Sequence, residues 1–196
     1  MTILEFWFGE IQDGWTVEDR NALWFGGRAD DDREIICLFS VALEEALAGG
    51  KTWETPKEAL VKIILLDQMT RAAYRGTPQA FAGDPQALAI CKEGLAMRWD
   101  NELPVICRKF FYLPLEHSEN LADQEHSVVL FAGLRQSLAV RAKELDFAYD
   151  YAVKHRDIIA QFGRFPHRNA ILGRKSTATE AAYLATTQER FGQGSQ

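Results

Sequence analysis

An all-α fold is what this sequence predicts, built as stacked antiparallel helices with no sheet. Three observations lead there. Apolar residues recur at helical spacing along almost the whole chain. Segment starts carry capping and proline signals, and segment ends carry glycine. No stretch alternates apolar and polar residues over a strand's length between turn signals.

The first start signal is Thr16-Val17-Glu18-Asp19, ahead of an apolar patch of Leu23, Trp24 and Phe25 closed by Gly26-Gly27. Asp30 is placed to cap a second helix with Ile35, Ile36, Phe39, Leu43 and Leu47 at apolar positions, ended by Gly49-Gly50. Thr55-Pro56-Lys57-Glu58 reads as a capping box with proline at the first helical position. The helix behind it, to about Tyr74, is apolar on most sides and is expected to be central. Asp84-Pro85 repeats the device and opens a helix towards Trp99.

Pro104 opens a shorter helix through Cys107, Phe110 and Phe111, expected to stop before Pro114. A proline inside a helix removes a hydrogen bond and clashes with the carbonyl four residues back. Ser118 is placed to cap a long helix bearing Leu121, Val128, Val129, Phe131, Leu134 and Leu138. Another runs from about Leu145 to Phe162, with Gly163 as its left-handed end. The last begins at Thr177, paired with Glu180 in a second T-x-x-E box. Residues 1–190 are expected to form one domain and 191–196 a flexible tail.

Composition narrows the function classes. The chain has 196 residues, 47% of them hydrophobic and 26% charged, with a formal charge of −6. That balance is ordinary for a soluble globular protein. No apolar run approaches the roughly 20 residues that span a bilayer, so no membrane partner is expected. MTILEFWFGE has no basic leading region, so it does not read as a signal peptide, and a cytoplasmic location is expected. The negative charge argues against nucleic acid, which needs a basic face. Cys37, Cys91 and Cys107 form no C-x-x-C pair and read as reduced thiols acting as small apolar residues. No P-loop, dinucleotide fingerprint or G-x-S-x-G motif is present, so no cofactor is expected.

Polar residues interrupt the apolar pattern in three places. In the central helix, Leu60, Ile63, Asp67, Arg71 and Tyr74 share a stripe. Asp67 precedes Arg71 by four residues, the spacing of an intrahelical ion pair. Such a pair either fixes helix packing or belongs to a binding site, with Gln68 and Arg75 beside it. The second place is Pro114-Leu115-Glu116-His117-Ser118-Glu119, a junction between helices where Glu116 and His117 offer an acid and a base. Glu119 and Asp123 there also suit the positive end of the next helix. A metal site could draw on His117, Glu119 and a distant histidine, but His126 is too far along for H-E-x-x-H, and no metal is assigned.

The third place joins a helix to its exit. His155 lies on the stripe of Ala148, Tyr151, Ala152, Ile159 and Phe162, so it points with the apolar face. Phe162 to Ser176 then gathers Arg164, His167, Arg168, Asn169, Arg174 and Lys175 between Gly163 and Gly173. Guanidinium groups bind carboxylate or phosphate in bidentate fashion. An anionic ligand would use such donors, and so would Asp67, Glu116 and Glu119 in an internal network.

WF at Trp24-Phe25, LLDQ-x-x-R-x-x-R at Leu65 to Arg75, PLEHSE at Pro114 to Glu119 with Asp123-Gln124, and GRFPHRN-x-x-LGR-x-ST at Gly163 to Thr177 together resemble the bacterial domain of unknown function family 924, a likeness that begins at EFWFG, Glu5 to Gly9. The resemblance covers nearly the whole chain and implies a tetratricopeptide-like α–α superhelix. One departure stands out: where the family usually reads LDQ-F-P-R-N, this chain has LDQ-M-T-R-A at Leu66 to Ala72, so any contact made by that asparagine is lost. The family implies no settled activity.

The leading functional expectation is a polar pocket for a small anionic molecule or an acidic peptide end. Arg71, Arg164, Arg168 and Arg174 would contact the anion, Gln68 and Asn169 would orient it, and Asp67 and Glu119 would hold the donors. The alternative is an enzyme in the same pocket, with Glu116, His117, His155 and His167 performing acid–base hydrolysis or elimination. A third reading is a structural interaction module. A homodimer through Trp7, Phe8 and Trp15 stays open.

Overall fold

The structure, a computed structural model, describes residues 1–49 and 52–187. The tail expected at 191–196 and the closing Gly50 lie outside the described residues. The fold is all-α. The chain divides into two compact units, Met1–Phe111 and Tyr112–Gln196, and each is described by itself.

The first unit opens on a helix that hydropathy did not reveal, α1 (Ile3–Phe8). Thr2 and Glu5 start it with a reciprocal capping box, the Thr2 N–H donating to Glu5 at 2.7 Å. It buries Phe6, Trp7 and Phe8; Trp7 and Phe8 pack edge-on against Phe110, so these two rings belong to a core. A two-residue hairpin follows, β1 (Ile11–Gln12) with β2 (Trp15–Thr16), which corrects the expectation of no sheet. Its turn is Asp13-Gly14, both at positive φ (52° and 85°), the pattern that an Asp-Gly hairpin turn favours. Strands of two residues are too short to leave an alternating pattern. Thr16 therefore ends a strand instead of starting a helix, and α2 is Asn21–Phe25.

In α3 (Ala29–Leu47), Asp30 sits inside the first turn and caps nothing. Ile35, Phe39 and Leu43 are buried, whereas Ile36 is exposed. Thr55 caps α4 (Pro56–Ile63) by accepting from the Glu58 N–H, and the Glu58 carboxylate reaches one residue further back, to the Glu54 N–H at 2.9 Å. The same rod continues through a π-helical turn, Ile64–Met69, into α5 (Thr70–Ala73). Every residue of the π turn is buried, which agrees with a central element. The Thr70 hydroxyl donates to the Leu66 carbonyl inside that turn, and Gly83 packs on the same carbonyl. Asp84 opens α6 (Asp84–Ala96) from the first turn, with Gly83 at the cap position.

Helix α7 (Val105–Glu116) runs straight through Pro114, against the expected stop. Phe110, Phe111, Tyr112, Leu113 and Leu115 are all buried along it. Each such side chain contributes roughly 1.5–3 kcal/mol on burial, against about 3 kcal/mol for the proline. Burial wins. Cys91 and Cys107 are buried as expected, and burial pushes the Cys107 thiol up to about 12, but Cys37 is exposed.

The second unit centres on α8 (Leu121–Ser137) and α9 (Asp146–Phe162), joined by a 3₁₀ turn at Ala139–Leu145. Arg135 near the end of α8 pairs with Asp146 at the start of α9, and Glu119 before α8 meets Phe165 after α9, so the two helices run antiparallel. Asn120, not Ser118, caps α8, its side chain accepting from the Ala122 and Asp123 N–H groups. The Ser118 hydroxyl is occupied with Asp123 at 2.8 Å. Leu121 and Val129 are exposed, because the buried face of α8 runs through Asp123, Gln124, Ser127, Phe131 and Leu134. Gly163, at φ 68°, closes α9 as expected, and α10 (Ala178–Thr186) starts from the Thr177–Glu180 box. Among the described residues, no helix is long and apolar enough to cross a membrane.

A Cβ on residue 83 would lie 2.2 Å from the Leu66 carbonyl oxygen, a backbone atom that cannot swing away. Gly83→Ala is therefore expected to cost about 1–3 kcal/mol, the range for overpacking a filled core. Urea unfolding reads this as a lowered midpoint, and an unchanged midpoint would show that the approach of α6 to the π turn is loose.

Candidate functional site

The expected site residues fall into three groups. Asp67, Gln68 and Arg71 belong to the first unit. Asp67 is fully buried, accepts from the Gln68 amide and lies 3.5 Å from Arg71. Arg71 makes its shorter contacts elsewhere. It donates to both Asp84 oxygens (2.9 and 3.1 Å) and to the Ala80 carbonyl (2.9 Å), and it stacks on Phe81. Burial works against its charge, but the carboxylates of Asp84 and Asp67 outweigh that and raise its pKa. Arg75 is held by Asp32 through two hydrogen bonds, 2.7 and 2.8 Å.

The second group is the cationic segment after α9. Arg174 grips Glu119 with two nitrogens (2.7 and 2.9 Å), and Glu119 also accepts from the Phe165 N–H at 2.8 Å. Burial pushes the Glu119 pKa up, but the bonds from Arg174 and Phe165 and the charges of Arg174 and Arg168 bring it below the usual value. Arg174 also donates through Nε to the Asn169 oxygen (2.9 Å), and the Asn169 amide reaches Ser176 and Glu180. Glu180 is buried and takes Arg164 in a bidentate pair (2.6 and 2.8 Å). Arg168 is buried with its guanidinium 4.5 Å from the Phe165 ring centre.

The third group brings a carboxylate and two imidazoles together. Glu116 ends α7, His117 follows it, and His155 projects from the middle of α9. Glu116 and His155 are both buried, and His117 is half-buried. His155 Nδ1 lies 2.8 Å from the Tyr151 carbonyl and 3.2 Å from the Glu116 carboxylate. Both neighbours are acceptors, so Nδ1 carries a proton. The His117 ring is 6.1 Å from that of His155. One ligating atom from each of Glu116, His117 and His155 falls within 4.8 Å of the others.

His167 does not join that group directly: its ring and that of His155 both neighbour Phe165, at 5.4 and 5.5 Å. Glu119, which the sequence offered beside His117 for a metal, is engaged by Arg174. Sequence reasoning noted Gln124 only within a motif, without a role, and missed Ser127. Both are fully buried on α8, and the Gln124 amide nitrogen donates to the Glu116 and Ser118 carbonyls. Polar residues at core positions in a helix's opening turns were the available signal.

The chain belongs to the family described as bacterial protein of unknown function (DUF924), which it matches over residues 3–188. It is similar to a solved protein of unknown function from Agrobacterium tumefaciens, 35% identical, with a TM-score of 0.71. That match covers 84% of this chain and 89% of the other. No curated protein matches. These likenesses fix family and fold and carry no activity.

The Arg164 hydrogen bonds and the Thr177 N–H hold Glu180 at about 2, against an ordinary 4.5, although burial works the other way. A carboxylate depressed in the folded state stabilises fully above its unfolded value and loses that contribution as pH falls through its folded one. Unfolding free energy of the wild type should thus fall between pH 4.5 and about 2, and Glu180→Gln should flatten that slope. Denaturant titrations across the interval check it; identical slopes would detach Glu180 from acid stability.

Proposed function

We propose that this protein is an acid–base enzyme, working in the cytoplasm on a small phosphorylated or carboxylated substrate by hydrolysis or elimination. The observation that carries the reading is the position of His155 Nδ1 between the Tyr151 carbonyl and the Glu116 carboxylate. That arrangement fixes the tautomer and the ring orientation, and it prepares Nε2 to accept a proton. Glu116 then stabilises the imidazolium that forms, the role a carboxylate plays beside a catalytic histidine. His117, with its ring alongside and partly open to solvent, is placed to return a proton to the leaving group.

The competing reading, anion capture by arginine, loses most of its donors. Arg71, Arg164 and Arg174 each grip a carboxylate of the protein. Their geometry supports a scaffolding role. The cationic segment still brings a positive charge near the centre, since the Arg168 guanidinium lies over Phe165, whose ring adjoins His155, and that charge suits an anionic substrate.

Turnover should be sought on a panel of phosphate esters, amides and β-substituted carboxylates. His155→Asn and Glu116→Gln should each lower kcat by about 10²–10⁴-fold, the range for losing general acid–base assistance. Circular dichroism should show both variants folded. Unchanged kcat in the two folded variants would remove the dyad from catalysis.

A further inference from the structure

We infer that Glu116, His117 and His155 form a binding site for one divalent transition-metal ion, with zinc the best match. This inference rests on reading the same cluster as the reacting centre. Two imidazoles and one carboxylate are the donor types that zinc takes, and three protein ligands with a remaining position for water are the pattern of catalytic zinc. Their ligating atoms already lie within 4.8 Å of one another. Tetrahedral zinc with bonds of about 2.0–2.2 Å sets its ligand atoms roughly 3.3–3.5 Å apart, so side-chain rotations that draw the three groups together complete the site. Among the described residues, this is the one group of three such side chains that converges.

The surroundings of His155 match those of a metal-bound imidazole. Ligating histidines donate their second ring N–H to a carbonyl or carboxylate, which fixes the ring and strengthens the donor nitrogen. The Tyr151 carbonyl does this at Nδ1 (2.8 Å), leaving Nε2 as the donor to the ion. Glu116 then exchanges its contact with Nδ1 for the ion. Its buried carboxylate counters part of the ion's charge.

A second observation points to a guest at this place. The Gln124 amide is oriented by its nitrogen, which donates to the carbonyls of Glu116 and Ser118. Its oxygen is buried and accepts from nothing among the described residues, and the Ser127 hydroxyl, one turn along the same face, is in the same position. Native interiors rarely leave such atoms unsatisfied. Water carried on a bound ion would bring donors to the neighbourhood of the Gln124 amide, which lies against the Glu116 carbonyl. With the ion bound, His155 Nε2 and Glu116 would serve as ligands in place of their direct acid–base roles, and the water that zinc makes acidic near neutral pH would give the proposed hydrolysis its nucleophile.

The test is a calorimetric titration of metal-stripped full-length protein with Zn²⁺ alone. Wild type should bind one ion per chain. His117→Ala and Glu116→Gln should weaken binding by at least ~100-fold, more than the loss typical of changing a group that only supports a ligand, while His126→Ala, an exposed histidine outside the cluster, should bind as wild type does. Absence of saturable binding overturns the inference, as does wild-type affinity in His117→Ala. Should Glu116→Gln fail to fold, the half-buried His117 decides alone. Wild-type turnover that survives metal stripping, together with no saturable Zn²⁺ binding, removes the ion and keeps the acid–base reading. Stoichiometric Zn²⁺ binding with turnover indifferent to His155→Asn keeps the ion and removes that reading.

Discussion

The C-terminal unit depends on the bidentate pair between Arg174 and Glu119, residues 55 positions apart in the chain. Glu119 stands just before α8 and Arg174 well beyond α9, so the pair closes the chain over both helices. The closure is not a lone surface ion pair, which would be worth little. Arg174 also holds the Phe165 carbonyl and the Asn169 oxygen, and Glu119 holds the Phe165 N–H. Through Asn169 the network reaches Glu180, and through Glu180 it reaches Arg164. Its product is the placement of Phe165. That ring is buried in the apolar cluster with Ile158 and Ile159, and it faces His155 on one side and carries Arg168 on another. A network of charges thereby fixes the apolar wall of the site.

Local chemistry was legible wherever a few adjacent residues decide the outcome. Thr55-Pro56, Gly163 and the Thr177–Glu180 box each marked a boundary that the structure keeps. The Thr2–Glu5 box carried the same signal, but six residues are too few to display helical periodicity, so α1 went unread. Pro114 shows the converse. Its local rule is sound, yet a run of buried aromatic and aliphatic side chains overrides it. Ser118 and Asn120 are equally good caps on paper, and the choice falls to Asn120 because the Ser118 hydroxyl serves Asp123.

The site was legible in its parts and not in its assembly. Glu116 and His117 stood out at a helix junction, and His155 stood out on an apolar stripe. Their convergence depends on the antiparallel return of α9 along α8, a long-range fact that no spacing encodes. The arginines reversed the same lesson. Their number and type announced anion recognition, but the choice of anion, a carboxylate of the chain itself, is set by tertiary packing.

The buried face of α8 separates structural from functional polarity. Phe131 and Leu134 fill its second half as a core helix requires, while Asp123, Gln124 and Ser127 occupy its first half at comparable burial. Stability alone favours apolar residues at those positions, since each unsatisfied buried polar atom costs about 1–3 kcal/mol. The Arg164–Glu180 and Arg174–Glu119 pairs obey the rule that buried or half-buried charge is matched by the protein's own groups. Gln124 and Ser127 break it, each keeping an oxygen in the core that no described group satisfies. Arg164 and Arg174, conspicuous in the sequence, are thus explained by folding, and the inconspicuous amide and hydroxyl are not. Gln124 keeps its orphaned oxygen on the amide whose nitrogen grips the Glu116 carbonyl, so part of that cost falls beside the Glu116–His155 pair, where a bound guest would offset it.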